Sequence, residues 1–183
     1  MNNEKNFPKR KRLRLKNYDY NKPGAYFITI CTHDKKCILS RIVGAIHESP
    51  VSCLSDYGKI VDRVINDLPK HSKVTVNSYV IMPNHIHLIL SITDDPQLRA
   101  IRESPLHGRS VISNAVGFIK MNASKQIRTE YEDGFVWQRG FHDHIIRNKE
   151  DYCKIAKYIY DNPKRWQLDC FYSEDICVET QGG

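Results

Sequence analysis

Four side chains in this 183-residue sequence have types and spacings that can do chemistry: His85 and His87, one residue apart, and Tyr158 and Asn162, four apart. Successive residues of a strand point to opposite faces, so Ile86, Leu88, Leu90 and Ile92 supply a core face. His85, His87, Ile89 and Ser91 take the other face, the two histidines about 6 to 7 Å apart at the backbone. Two imidazoles at that separation can clasp one divalent ion and leave its remaining positions to substrate oxygens. The competing reading is a pair of polar residues on the open side of a half-buried strand. A His-x-His-x-His nucleotide-hydrolase signature would need a third histidine at 89, where Ile89 stands.

The tyrosine belongs to a helix that Asn148 can cap, with Glu150 and Asp151 in the first turn, where carboxylates favour the positive helix end. At 100° per residue Tyr152, Ile155, Ala156 and Ile159 form one apolar stripe. Tyr158, Asn162 and Lys154 share one flank of it, and Tyr160 lies on the other. A phenol has a pKa near 10 and is a weak nucleophile at neutral pH unless a polarised phosphate or a basic neighbour such as Lys154 assists it. A nearby amide can offer its carbonyl oxygen to a metal. Taken singly, Tyr152, Tyr158 and Tyr160 each also fit a packing role with a wet hydroxyl, and spacing alone does not choose among them.

These side chains need elements to hold them. Residues 25–32 read as a buried strand, rich in aromatic and β-branched types, after the turn Asn21-Lys22-Pro23-Gly24. Residues 38–52 read as a hairpin or loop insertion. Apolar spacings of three and four predict a helix over 56–68, which Pro69 follows. Strands are expected over 74–82 and 85–92, a polar connection over 97–109, a helix over 110–127 and an extended segment with Trp137 over 134–146. The last helix runs from Asn148 until Pro163 ends it. This order suits an α+β chain, an antiparallel sheet covered on one face by helices, ferredoxin-like in type.

Net charge is +7 and unevenly placed: residues 1–22 hold eight Lys and Arg against Glu4 and Asp19. Such an arm suits a polyanionic partner, or else a solvated tail. One domain is expected, with an arm at 1–22, a folded unit at 23–168 and a tail at 169–183. The six cysteines form no Cys-x-x-Cys pair, and no apolar run is long enough to span a membrane. A cytoplasmic location with reduced, unpaired thiols follows.

Several segments together resemble one family. Ser78-Tyr79-Val80-Ile81-Met82-Pro83-Asn84-His85-Ile86-His87-Leu88 is similar to the histidine, hydrophobic, histidine (HUH) motif of one-tyrosine transposases. The run Val136-Trp137-Gln138-Arg139-Gly140-Phe141-His142-Asp143-His144-Ile145-Ile146-Arg147-Asn148, with Tyr158-Ile159-Tyr160-Asp161-Asn162-Pro163, resembles the C-terminal half of REP-associated tyrosine transposases. Arg12-Leu13-Arg14 and Gly24-Ala25-Tyr26-Phe27-Ile28-Thr29 resemble that group's N-terminal region, so the likeness spans roughly 9–166.

The resemblance implies an HUH endonuclease fold acting on single-stranded DNA with hairpins formed by repetitive palindromic elements, in a cytoplasmic, nucleoid-associated protein. It implies His85 and His87 as ligands of Mg²⁺ or Mn²⁺, Tyr158 as the nucleophile that forms a 5′-phosphotyrosine, and Asn162 as third ligand, where the wider class places a glutamine. His144 and Arg147 match the family pattern as active-site support, without an assigned step. Lys9, Arg10, Lys11, Arg12, Arg14 and Lys16 are the candidates for gripping a hairpin. Relatives occur as homodimers that exchange the tyrosine helix and as monomers, and a monomer is expected here. The rival readings are a non-catalytic hairpin DNA- or RNA-binding protein and a metal-dependent hydrolase that uses water.

Overall fold

Residues 18–44, 50–93, 109–131 and 136–172 are described by the computed structural model. Their elements run β1 (Gly24–Cys31), β2 (Ser40–Val43), β3 (Val51–Leu54), α1 (Asp56–His71), β4 (Val74–Ile81), β5 (His85–Ile92), α2 (Val111–Tyr131), β6 (His142–Ile146) and α3 (Lys149–Asp161). Short 3-10 turns follow β1 (His33–Lys35) and α3 (Pro163–Leu168). Four strands form one antiparallel sheet in the order β4-β5-β1-β6, and β2-β3 is a separate hairpin.

The topology follows from the pairings. β5 runs antiparallel to both β4 and β1, so β1 and β4 are parallel and α1 crosses between them. By the same logic β5 and β6 are parallel, with α2 in the crossover. Two interleaved βαβ units make the ferredoxin-like arrangement, in agreement with the sequence reading. The expected insertion is the hairpin, seated by Ser40 and Ser52, whose hydroxyls donate to the carbonyl of Ile81.

Ile86, Leu88, Leu90 and Ile92 turn to one face with Ile28 and Ile30 and are buried under α1 and α2. Ser55 caps α1 by accepting from the N–H of Gly58. A Cβ at residue 58 would lie 2.0 Å from the carbonyl oxygen of Leu39, so this close approach admits glycine alone. α1 continues to His71, with Pro69 inside its last turn, three residues beyond the expected end at 68. α2 likewise extends to Tyr131, beyond the expected 127.

One expectation about layers changes. α3 does not join the other helices; it lies across the opposite face, where Ile155, Ala156 and Ile159 pack on Phe27, Ile89 and Ile146. The cause is parity: Ile89 is apolar on the histidine face and needs its own cover. Tyr18 and Tyr20, expected in the arm, pack against Tyr26 instead. Cys31, Cys53, Cys153 and Cys170 are free as expected, whereas Cys37 is disulfide-bonded, which departs from the all-reduced reading. Among the described residues no helix is long and apolar enough to cross a membrane. The expected polar connection at 97–109 lies almost entirely outside the described residues.

Candidate active site

β5 places His85 and His87 on the α3 face with no more than 2 % of either side chain exposed. Their Nε2 atoms are 3.0 Å apart. The Nδ1 of His85 lies 2.9 Å from Oδ1 of Asn84, and that of His87 lies 2.9 Å from Oγ1 of Thr29. Asn84 donates its own Nδ2 to the carbonyl of Phe171, so its Oδ1 can only accept from His85. The Nδ1 of His85 therefore carries the proton and its Nε2 presents a lone pair. Burial first, then the Lys35 charge, holds His85 down to about 3; burial and its neighbour depress His87 likewise.

α3 brings Tyr158 over this pair. Asn148 caps the helix by accepting from the N–H of Asp151, as its sequence position foretells. The Tyr158 hydroxyl stands 3.3 Å from Nε2 of His87 and donates to Oδ2 of Asp169 at 3.0 Å. Burial and the Asp169 carboxylate push the phenol well above its ordinary range. Asn162, 1 % exposed, donates Nδ2 to the same carboxylate at 3.3 Å, while its buried Oδ1 has no partner among the described residues.

Tyr160 is 76 % exposed with the Lys164 ammonium over its ring, away from the site. The shared flank of Tyr158 and Asn162 is thus physical, and the alternative tyrosine is excluded from the cluster.

Lys154 is exposed and acts electrostatically on Asp151, while the Tyr158 hydroxyl meets a carboxylate instead of an ammonium. His144 donates toward Asp151 at 3.0 Å, tying β6 to the first turn of α3, and so can support the helix without entering the metal cluster. Arg147 is exposed beside that pair. Lys9, Arg10, Lys11, Arg12, Arg14 and Lys16 lie outside the described residues.

Sequence reasoning missed Asp169, Asn84, Thr29 and Phe171. The sequence reading places residues 169–172 in the tail, yet Asp169 joins His85 and His87 in a three-residue group whose ligand atoms all lie within 4.8 Å of one another. The 3-10 turn after Pro163 carries the chain back, and Trp166 anchors it against His85 with ring centroids 5.9 Å apart. Asp169 has no local signature, but Asn84 abuts the histidine motif, and an amide there is a visible orienting partner.

The donor set fits a divalent ion. Two nitrogens bound at right angles to one ion at about 2.1 Å each stand about 3 Å apart, matching the Nε2 separation. Without a cation or proton between them two lone pairs face each other, and the orphaned Asn162 oxygen adds a buried acceptor. His85, His87 and Asp169 could hold a metal.

Comparison with known proteins now decides the family. A protein of unassigned function from Haemophilus influenzae is 35% identical over 173 residues, covering 89% of this chain and 93% of its own length. A second protein of that organism, provisionally named a REP-associated tyrosine transposase, is 26% identical over 183 residues, covering 92% and 94%. The chain belongs to the REP-associated tyrosine transposase family. A solved REP-associated tyrosine transposase, bound to a REP hairpin, superposes with a TM-score of 0.57 at 22% identity, covering 85% of this chain and 75% of that one, and shares the fold. No protein-family model matches the chain.

Proposed function

We propose that this transposase-family chain nicks and rejoins single-stranded DNA beside a hairpin, with Tyr158 as nucleophile. The observation that carries the reading is the convergence of both Nε2 atoms and the Tyr158 hydroxyl in one buried cluster. His85 and His87, with Asp169 and the free oxygen of Asn162, would hold Mg²⁺ or Mn²⁺. When bound, the ion supplies Lewis acidity to a phosphate oxygen and offsets negative charge near the phenol.

The chain's own residues account for the remaining requirements. Asn84 and Thr29 fix both imidazoles so that neither has to reorient. Asp169 takes the hydroxyl proton of Tyr158 at Oδ2, 3.0 Å away. The phenolic oxygen then bonds to phosphorus as the bond to the 3′ oxygen breaks; that oxygen takes a proton from solvent and leaves as a 3′-hydroxyl, and a 5′-phosphotyrosine remains. Since the phosphodiester is preserved as a protein ester, a second 3′-hydroxyl can attack it and rejoin the strand. Residues 9–16, with their six Lys and Arg, supply the sequence-independent grip on the hairpin.

The test is incubation of hairpin-bearing single-stranded DNA with the protein and Mn²⁺ or Mg²⁺. A covalent protein–DNA adduct should form, disappear with chelator and be absent from Tyr158→Phe. Free 5′-phosphate ends without an adduct would point to water as nucleophile, and tight chelator-insensitive binding without cleavage to a hairpin-binding protein; either result sinks the proposal.

A further inference from the structure

Lys35 stands at the rim of the same site on a turn whose backbone is held in an unfavourable conformation. Asp34 (φ 52°) and Lys35 (φ 56°) both occupy the left-handed region, and they are the only non-glycine residues with positive φ among those described. Aspartate tolerates that region, whereas lysine lacks the short polar side chain that eases it; the Lys35 N–H donates to the carbonyl of Thr32 at 3.3 Å. Strain of this kind persists where surrounding contacts impose it, and it gathers at functional sites.

The N–H of Thr32 donates to the carbonyl of Asn84 at 2.9 Å, and the Thr32 hydroxyl lies between that carbonyl and that of Lys36. His33 donates to the carbonyl of Val136 at 2.8 Å. The turn is therefore clamped to the residue that orients His85. It aims the Lys35 ammonium over the ring of Phe171, 5.6 Å from its centroid, and that ring lies tilted against His85 with centroids 4.7 Å apart.

Lys35 forms no ion pair with any carboxylate among the described residues, since neighbouring Asp34 pairs with His33. Its charge is nevertheless felt at His85. A half-buried lysine with no ion-pair partner among the described residues, beside a candidate metal-ligand pair, suits an anionic group that arrives with the substrate.

We propose that Lys35 binds a phosphate of the single strand adjoining the one attacked by Tyr158, and so seats the strand across Phe171. The assignment rests on the nuclease reading above for the identity of the reaction, but strand contact can be measured without catalysis. Binding of a short oligothymidylate is measured against salt in the Tyr158→Phe protein, with and without Lys35→Gln. The Gln variant should bind several-fold more weakly, and its log–log salt slope should fall by about 0.7, the single-strand value for one phosphate contact. Lys35→Arg should restore both.

In the protein with Tyr158 intact, Lys35→Gln should slow adduct formation by about tenfold or more at saturating DNA, the range expected when a positioning contact is lost. Mn²⁺ affinity measured by calorimetry should not fall. Unchanged oligothymidylate affinity and slope in Lys35→Gln overturn the assignment, whatever the adduct rate. Absence of any adduct in the unsubstituted protein overturns the nuclease reading, and the salt slope still decides Lys35.

Discussion

Two His-x-His pairs share one face of the sheet. His85 and His87 lie on the interior strand β5, and His142 and His144 on the edge strand β6, with Thr29 of β1 paired to both His87 and His142. Spacing and side are the same, yet the first pair is buried with both Nδ1 atoms engaged and the second is exposed. Of the second pair, His144 meets Asp151 and His142 approaches only the Phe171 ring, at 6.3 Å. Fitness to hold a metal thus depends less on the interval between histidines than on a buried setting that orients their rings and keeps them neutral.

The largest test of that contrast is metal binding. Substituting His87→Ala should lower Mn²⁺ affinity by roughly two orders of magnitude or more and abolish the adduct, as expected for loss of a ligand. His142→Ala with His144→Ala should leave affinity near that of the unsubstituted protein; an equal loss there would dissolve the distinction. Next come the orienting groups: Asn84→Ala should weaken Mn²⁺ binding by about 10- to 100-fold while far-ultraviolet circular dichroism stays unchanged.

Acid should separate the pairs further. His85 and His87 stay neutral in the fold, so below about pH 6.5 the unfolded chain takes up protons that the native protein refuses. Metal-free stability should be full above that pH and decline toward pH 3, by about 1.4 kcal/mol per pH unit for each such histidine. Urea midpoints across this range measure it, and His85→Gln should flatten the slope by about half. The smallest effect belongs to the exposed pair: Asp151→Asn should lower the melting temperature slightly, and high salt should erase the difference.

Legibility in the sequence follows the range of the interaction. Strand parity needs only adjacent residues, so the core face of β5 and the pairing of His85 with His87 could be read directly. Helical spacing put Tyr158 and Asn162 on a common flank, though only the family likeness selected that tyrosine. Thr29 escaped because its contact with His87 spans 58 residues and depends on how β1 registers with β5. Asp169 escapes local reading because the 3-10 turn after Pro163 shows no helical or strand pattern, and the flank that carries Lys154 does not say which neighbour its side chain will meet. The side of the sheet that α3 covers is also tertiary, set by Ile89 and Phe27 together.

The short connection between β4 and β5 carries a constraint of its own. Met82 donates to the carbonyl of His85 at 2.8 Å, Leu39 to that of Pro83 and Thr32 to that of Asn84, so three residues are tied on several sides. Adding or deleting one residue here would shift β5 by a single step and exchange its faces, presenting Ile86 and Leu88 to the tyrosine and pushing both imidazoles beneath α1. The loop therefore tolerates no gradual change in length. It behaves as a reading-frame marker written in structure, and a change in its length would dismantle the candidate site at once, not by degrees.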